Sequence, residues 1–179
     1  FLIYTCFFFF FLIIRRPPRS TLDRSSAASD VYKRQMDMNA LLPLIQSQVR
    51  WKDLPNNTVF TANKSVLITT TDVRKSNSAA MYLALISYVA NGNNIVQRMD
   101  QAQPFMPLLT DMFLRQGLRP SSSQEPFEDY LVKGMGHSPT VMVYEAQYIS
   151  QAARQDGSIQ PDMVLMLSLI HISEPTRPY

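Results

Sequence analysis

A polar stretch between an apolar run and a helical pattern carries the residues best suited to chemistry. Thr71, Ser76, Asn77 and Ser78 lie where the β-branched run 65–70 gives way to apolar residues at helical spacing. A helix start presents N–H groups without intrahelical partners and the positive end of the helix dipole, and serine hydroxyls add donors. The stretch is therefore a candidate site for a carboxylate or an oxyanion. In the alternative interpretation, Ser76 is only an N-cap, which stabilises the helix by about 1 kcal/mol.

A second pair of polar side chains, Tyr144 and Glu145, lies at the junction of another β-branched run, 140–144, with a helical pattern. A phenol and a carboxylate placed there would share one cleft. The alternative is a tyrosine at the edge of the core and a glutamate favoured by the helix dipole. The residues alone leave both interpretations open.

Other kinds of chemistry have little support in the sequence. His137 is the only histidine in 36–166, and this segment has no cysteine, so we expect no metal site and no cofactor. There is no Gly-x-Gly-x-x-Gly or Walker loop and no Gly-x-Ser-x-Gly elbow. We interpret His137 as a loop residue and expect a binding protein rather than an enzyme. An enzyme that uses His137 or Glu145 as its base is an alternative.

Apolar periodicity and turn residues predict alternating helices and strands. The expected helices cover 38–50, 76–91, 104–116, 125–133 and 145–155, and the expected strands cover 65–70, 140–144 and 163–166. This alternation is typical of an α/β layer in which helices flank a mixed, largely parallel sheet. Both polar stretches then lie at carboxyl ends of strands, where open α/β folds bind ligands.

The two ends of the chain differ from its middle. Residues 30–35 can be encoded by a DNA word whose opposite strand encodes Leu-Ser-Leu-Ile-His-Ile, the sequence of 167–172. Inverted words of this kind flank tagmented sequencing fragments, so we interpret 1–35 and 167–179 as translated adapter, disordered or non-native. The apolar run 1–14 is short for a membrane span, and its arginines follow it rather than precede it as in a signal peptide.

The segment that remains, 36–166, has the size of one small domain or of part of a larger one. It contains ten basic and eleven acidic residues, a net charge of −1, whereas the whole chain has a formal charge of +3. The basic excess therefore comes from the ends and does not argue for nucleic acid or an anionic membrane as a partner. The absence of cysteine from the segment suits an exported bacterial protein.

Two runs in this segment resemble a known family. The run 66–83, Val-Leu-Ile-Thr-Thr-Thr-Asp-Val-Arg-Lys-Ser-Asn-Ser-Ala-Ala-Met-Tyr-Leu, is similar to a strand and serine-bearing helix start in the second lobe of type II periplasmic solute-binding proteins. The run 138–145, Ser-Pro-Thr-Val-Met-Val-Tyr-Glu, is similar to the strand of that lobe that returns toward the ligand cleft. Similar segments occur in substrate-binding-domain proteins related to molybdate-, sulfate- and phosphate-type binders. The similarity spans about 53–166, and it makes 36–166 an internal fragment, mostly second lobe.

The resemblance implies a two-lobed protein that traps a small ligand by hinge closure. Such proteins lie outside the membrane, anchored to it in the parent protein, and deliver the ligand to an ABC transporter. By this similarity Ser76, Asn77 and Ser78 contact an anion, and Tyr144 donates from the facing strand. Glu145 departs from the pattern, because a carboxylate repels an anion unless it pairs with a cation.

Other functions fit the same resemblance. One is the effector-sensing domain of an intracellular regulator, and another is a cell-surface protein with a substrate-binding-like lobe. A ligand that carries a cationic group would also explain Glu145.

Overall fold

The computed structural model describes residues 10–15, 35–55, 57, 60, 62–117, 119–134, 136–160 and 163–168. The parts of the adapter-like ends at 1–9, 16–34 and 169–179 lie outside the described residues, so the expectation for them stays a prediction.

The described chain contains both helices and strands and is of the general α/β class, but the two do not alternate regularly, because no strand forms in its described residues between 46 and 124. The strands are β1 (Phe10–Arg15), β2 (Gln35–Met36), β3 (Thr140–Tyr144) and β4 (Met163–Ser168). The α-helices are α1 (Met38–Gln46), α2 (Asn77–Ala90), α3 (Met99–Ala102), α4 (Met106–Leu114), α5 (Gln124–Lys133) and α6 (Glu145–Ala153), with 3-10 turns at Trp51–Asp53 and Gln103–Phe105.

Local sequence signals place several elements correctly. Helix α2 begins after Ser76 and ends at Ala90 with Asn91 as its C-cap, and Gly92 follows with a positive φ of 67°, which glycine adopts without strain. Helix α5 ends at Lys133, and its C-cap Gly134 is also at positive φ (70°). Strand β3 has the predicted bounds. Helix α6 begins as predicted and ends two residues early.

Two predicted helices have different bounds. The prediction of 38–50 is too long, because the chain leaves α1 after Gln46 and Arg50 instead forms an antiparallel bridge with Ser65. The helix predicted over 104–116 begins earlier, at α3, and is broken by the 3-10 turn before α4. Pro104 and Pro107 lie at this break, and each lacks the N–H that a continuous helix would use.

The strand predicted over 65–70 is an extended segment without a continuous ladder. Its first residue pairs with Arg50, whereas Thr69 forms a single parallel bridge with Val141 of β3. A continuous series of paired residues with one neighbouring strand does not form, because the segment pairs first with Arg50 and then with Val141. Its side chains are nevertheless buried as those of a central strand would be, with Val66 and Ile68 1% and 4% exposed.

The sheet is mixed rather than largely parallel. Its strand order is β2-β4-β1-β3. Strand β1 is antiparallel to both β3 and β4, whereas β2 is parallel to β4. The expectation of a largely parallel sheet is wrong because β1, from a segment that we interpret as adapter, lies between two strands that run in the same direction. The six residues of β1 form a strand, and their origin stays a prediction.

Strand β3 separates two apolar clusters. Met142 points into the larger cluster, which is formed mainly by α1, α2 and α4. Val141 and Val143 point into the smaller cluster with Phe127 and Tyr130 of α5. Successive side chains of a strand point to opposite faces, so helices cover both faces of β3. No helix in the described ranges is long and apolar enough to cross a membrane.

Removal of a fully buried side chain from α2 tests the larger cluster. Ile86 is 0% exposed, so Ile86→Ala should lower the free energy of unfolding by about 2–5 kcal/mol. Met81, on the same helix, is 41% exposed, and Met81→Ala should change it by less than about 1 kcal/mol. Urea unfolding of both variants measures the difference, and equal losses would contradict this packing.

Candidate functional site

The extended segment 66–71 and β3 end at the same edge of the fold. The Thr69 N–H donates to the Thr140 carbonyl at 3.1 Å, and the Met142 N–H donates to the Thr69 carbonyl at 2.9 Å. This is the hydrogen-bond pattern of parallel neighbours, with Thr69 opposite Val141. The turn after 66–71 and the junction after β3 therefore lie at one edge, which we call the carboxyl edge.

Three hydroxyl groups link the two ends of the turn 71–78. Thr71 Oγ1 lies 2.8 Å from Ser78 Oγ, which lies 2.8 Å from Ser76 Oγ. Thr71 and Ser78 are each 2% exposed, whereas Ser76 is half-buried. The structure thus brings three of the predicted site residues together, and we call them the hydroxyl chain.

Backbone donors adjoin the hydroxyl chain at the start of α2. The first intrahelical bond runs from the Ala80 N–H to the Ser76 carbonyl at 3.1 Å, so the N–H groups of 77–79 precede the helical ladder. Ser76 takes the N-cap position, but its side chain makes no capping hydrogen bond, because its hydroxyl pairs with Ser78. Ser76 is therefore the N-cap residue by position, as in the alternative interpretation. Its side chain does not, however, make the capping hydrogen bond that this interpretation assumes.

The other predicted site residues lie around this edge in different surroundings. The side chain of Asn77 is exposed. Tyr144 is half-buried against the larger apolar cluster, and its N–H donates to Gln147 Oε1 at 3.0 Å. Glu145 is exposed and begins α6. Tyr144 and Glu145 thus share the carboxyl edge with the hydroxyl chain, one against the core and one in solvent.

A loop at 119–123 contacts both parts of the carboxyl edge, the turn 71–78 and the first turn of α6. The Asp72 N–H donates to the Pro120 carbonyl at 2.9 Å. At the other end of the loop, Ser123 Oγ donates to Gln147 Oε1 at 3.2 Å. The composition of 120–123 indicates a loop, but nothing in the sequence indicates where that loop packs.

A cleft of about 440 Å³ opens on the carboxyl edge. Thr71 is the one predicted site residue among the described residues that line it. Apolar and polar side chains share the remaining lining. The lining residues are Val73, Phe113 and Leu114, which are apolar, and Asp72, Arg74, Gln116, Gly117 and Arg119.

Gln116 and Arg119 are among the lining residues that could not be recognised from the sequence. Gln116 is 8% exposed, and its Oε1 accepts the Thr70 N–H at 2.9 Å. Gln116 Nε2 and Arg119 Nε are shielded from solvent and have no hydrogen-bond partner within the described part of the chain. Burial lowers the pKa of Arg119, with the charge of Asp129 opposing the change. The only signal in the sequence is their position beside Gly117, where a helix stops.

Asp72 and Arg74 form an ion pair at the mouth of the cleft. Arg74 Nε and Nη2 donate to the two carboxylate oxygens of Asp72 at 3.0 and 2.8 Å, and the Arg74 N–H adds a third bond at 2.9 Å. The side-chain hydrogen bond from Arg74, followed by the backbone one, lowers the pKa of Asp72 to about 2. The carboxylate therefore stays charged and engaged by its own neighbour across the physiological range.

His137 lies away from this edge. It precedes β3, whereas Glu145 follows it, so a strand of five residues, about 17 Å long, separates them. His137 Nε2 instead lies 3.8 Å from Asp129 Oδ2, and Lys133 Nζ lies 2.8 Å from the other oxygen of that carboxylate. Among the described residues no group of three His, Cys, Asp or Glu side chains is arranged to hold a metal ion.

No protein-family model, curated protein or solved structure matches the chain.

The ion pair at the cleft mouth predicts a pH response. Arg74→Gln removes the guanidinium, so the pKa of Asp72 should rise from about 2 toward its ordinary value of 3.8. In the unsubstituted chain the folded pKa lies below the unfolded one. The pair therefore contributes stability above about pH 4, and this contribution is lost as the pH falls toward 2.

Carboxyl ¹³C NMR titration measures this pKa directly. Lys75→Gln is the matched control, because Lys75 acts on Asp72 only through a weak charge interaction, the last of the causes. A large rise in Lys75→Gln, or none in Arg74→Gln, would contradict the geometry of the pair.

Proposed function

We propose that 36–166 is part of an extracellular solute-binding protein of the type II periplasmic class, mostly its second lobe. In this proposal the carboxyl edge captures a small anionic ligand for delivery to an ABC transporter, without turnover. The single observation that carries the proposal is the unused capping position at Ser76, which leaves hydroxyl and backbone donors together at the start of α2.

The number of hydroxyl protons in the hydroxyl chain supports an anion beside Ser76. The hydroxyl chain contains three hydroxyl protons and two hydrogen bonds. When donation runs from Thr71 through Ser78 to Ser76, the Ser76 hydroxyl keeps its proton for an external acceptor. Ser76 is the most exposed of the three, so an anion that reaches it would fix this direction of donation and strengthen each bond in the chain.

The charges around the turn also favour an anion. The dipole of α2 directs its positive end at Ser76, and the 14-residue helix carries the full effect. Lys75 is exposed beside it, and its charge acts only weakly on Asp72, whose carboxylate is paired with Arg74, so the charge of Lys75 is available to a ligand. Glu145 is exposed across the edge, where water screens its repulsion of a bound anion.

The packing of the edge fits a ligand-binding lobe. Parallel pairing of 66–71 with β3 places both junctions at the carboxyl ends of neighbouring strand-like segments, where open α/β folds bind ligands. The resemblance of the same two segments to the second lobe of solute-binding proteins supports the class. Ligand binding without turnover needs no general acid or base at the carboxyl edge. In keeping with this, His137 lies at the opposite end of β3.

Calorimetric titration of the full chain with sulfate, phosphate, molybdate and acetate tests the proposal. At least one of these anions should bind saturably at one site. Ser76→Ala should weaken that binding at least about tenfold, because a hydrogen bond to a charged group contributes about 1.5–3 kcal/mol.

Ser150→Ala is the matched control, since Ser150 is an exposed serine of α6 away from its start, and its affinity should be unchanged. Absence of binding by all four anions would contradict the proposal, and so would equal affinities in Ser76→Ala and the unsubstituted chain.

A further inference from the structure

We infer that the cleft beside Thr71 binds a monocarboxylate with a short apolar body, held by Gln116 and Arg119. The inference rests on the proposed function, because it names the class of ligand that the carboxyl edge takes. The cleft and the hydroxyl chain share Thr71, which lines the former and belongs to the latter.

Two donors on side chains that line the cleft lack acceptors within the described ranges. Gln116 is more than nine-tenths buried, and its Oε1 is used by the Thr70 N–H. Its Nε2 has no partner in the described part of the chain, and neither has Arg119 Nε. A buried donor without an acceptor is costly, so a ligand that supplies acceptors here recovers that cost. An ionised carboxylate consists only of acceptors and has two oxygens for the two groups.

The charges of the lining restrict the ligand to a single negative charge. Asp72 and Arg74 neutralise one another through their two-pronged contact. Arg119 forms no ion pair with any residue of the described ranges at salt-bridge distance, and only the more distant charge of Asp129 acts on it, so it is the least compensated cation of the lining. One partly compensated cation beside the carboxylate of Asp72 suits a monoanion better than a divalent oxyanion.

The remaining walls are apolar. Val73, Phe113 and Leu114 line the cleft. Leu114 is 73% exposed at the end of α4, a large apolar side chain with much of its surface in solvent. A ligand whose apolar body covers Leu114 removes that surface from water, which an inorganic anion does not do. A volume of about 440 Å³ lies within the range typical of small-molecule sites.

Titration of the full chain with hexanoate, hexanamide and acetate tests the inference. Hexanamide keeps the shape without the charge, and acetate keeps the charge without the apolar body. Hexanoate should bind at least tenfold more tightly than either. Equal affinities for hexanoate and hexanamide, or for hexanoate and acetate, would overturn the inference.

Substitution of the two donors locates the site. Gln116→Glu keeps an oxygen for the Thr70 N–H but replaces the unpartnered donor with a negative charge, so hexanoate affinity should fall at least tenfold. Arg119→Gln should have a similar effect. Arg98→Gln is the control, since Arg98 is an exposed arginine paired with Asp100 and should leave the affinity unchanged. Thermal melting confirms that each variant is folded, and unchanged hexanoate binding in folded Gln116→Glu and Arg119→Gln would overturn the inference.

The outcomes separate the inference from the proposed function. Binding of an inorganic anion that depends on Ser76, without hexanoate binding, would overturn the inference and leave the proposed function intact. Hexanoate binding that depends on Gln116 and Arg119 but not on Ser76 would support the cleft and contradict an anion site at the start of α2. Absence of binding by every anion would overturn both.

Discussion

The arrangement of the carboxyl edge depends on the two backbone hydrogen bonds that hold Thr69 against β3. They set the register between a segment without a continuous ladder and the strand that separates the two apolar clusters. Each such bond contributes only about 1 kcal/mol, yet a broken pair would leave buried N–H and C=O groups without partners. A shift of one residue would also turn Val66 and Ile68 away from the core.

The polar groups beside this pairing are satisfied by side chains rather than by a further strand. The Thr70 N–H donates to Gln116, and Thr69 Oγ1 lies 3.2 Å from the hydroxyl of Ser138. Gln116 therefore has one atom engaged in the fold and one atom left for another acceptor. This division links the stability of the 66–71 segment to the chemistry of the cleft, because the same side chain serves both.

Local features of the fold could be predicted from the sequence, whereas long-range ones could not. Helix α2 and strand β3 follow from apolar spacing, an N-terminal serine and a stop glycine, all of which act within a few residues. The bridge of Thr69 with Val141 and the antiparallel position of β1 depend on partners more than fifty residues away, which periodicity does not encode. For the site, the sequence indicates Thr71, Ser76 and Ser78 through their position at a helix start. It gives no sign of Gln116, because its role comes from tertiary packing.

Hydrogen exchange at the amides of Thr69 and Met142 tests the parallel pairing most directly. Both amides donate to backbone carbonyls across the 66–71 and β3 interface, so both should be protected to the same degree as central amides of α2. Protection at both positions would support a carboxyl edge built by this pairing. Exchange at the rate of an unstructured chain, while α2 remains protected, would contradict the account.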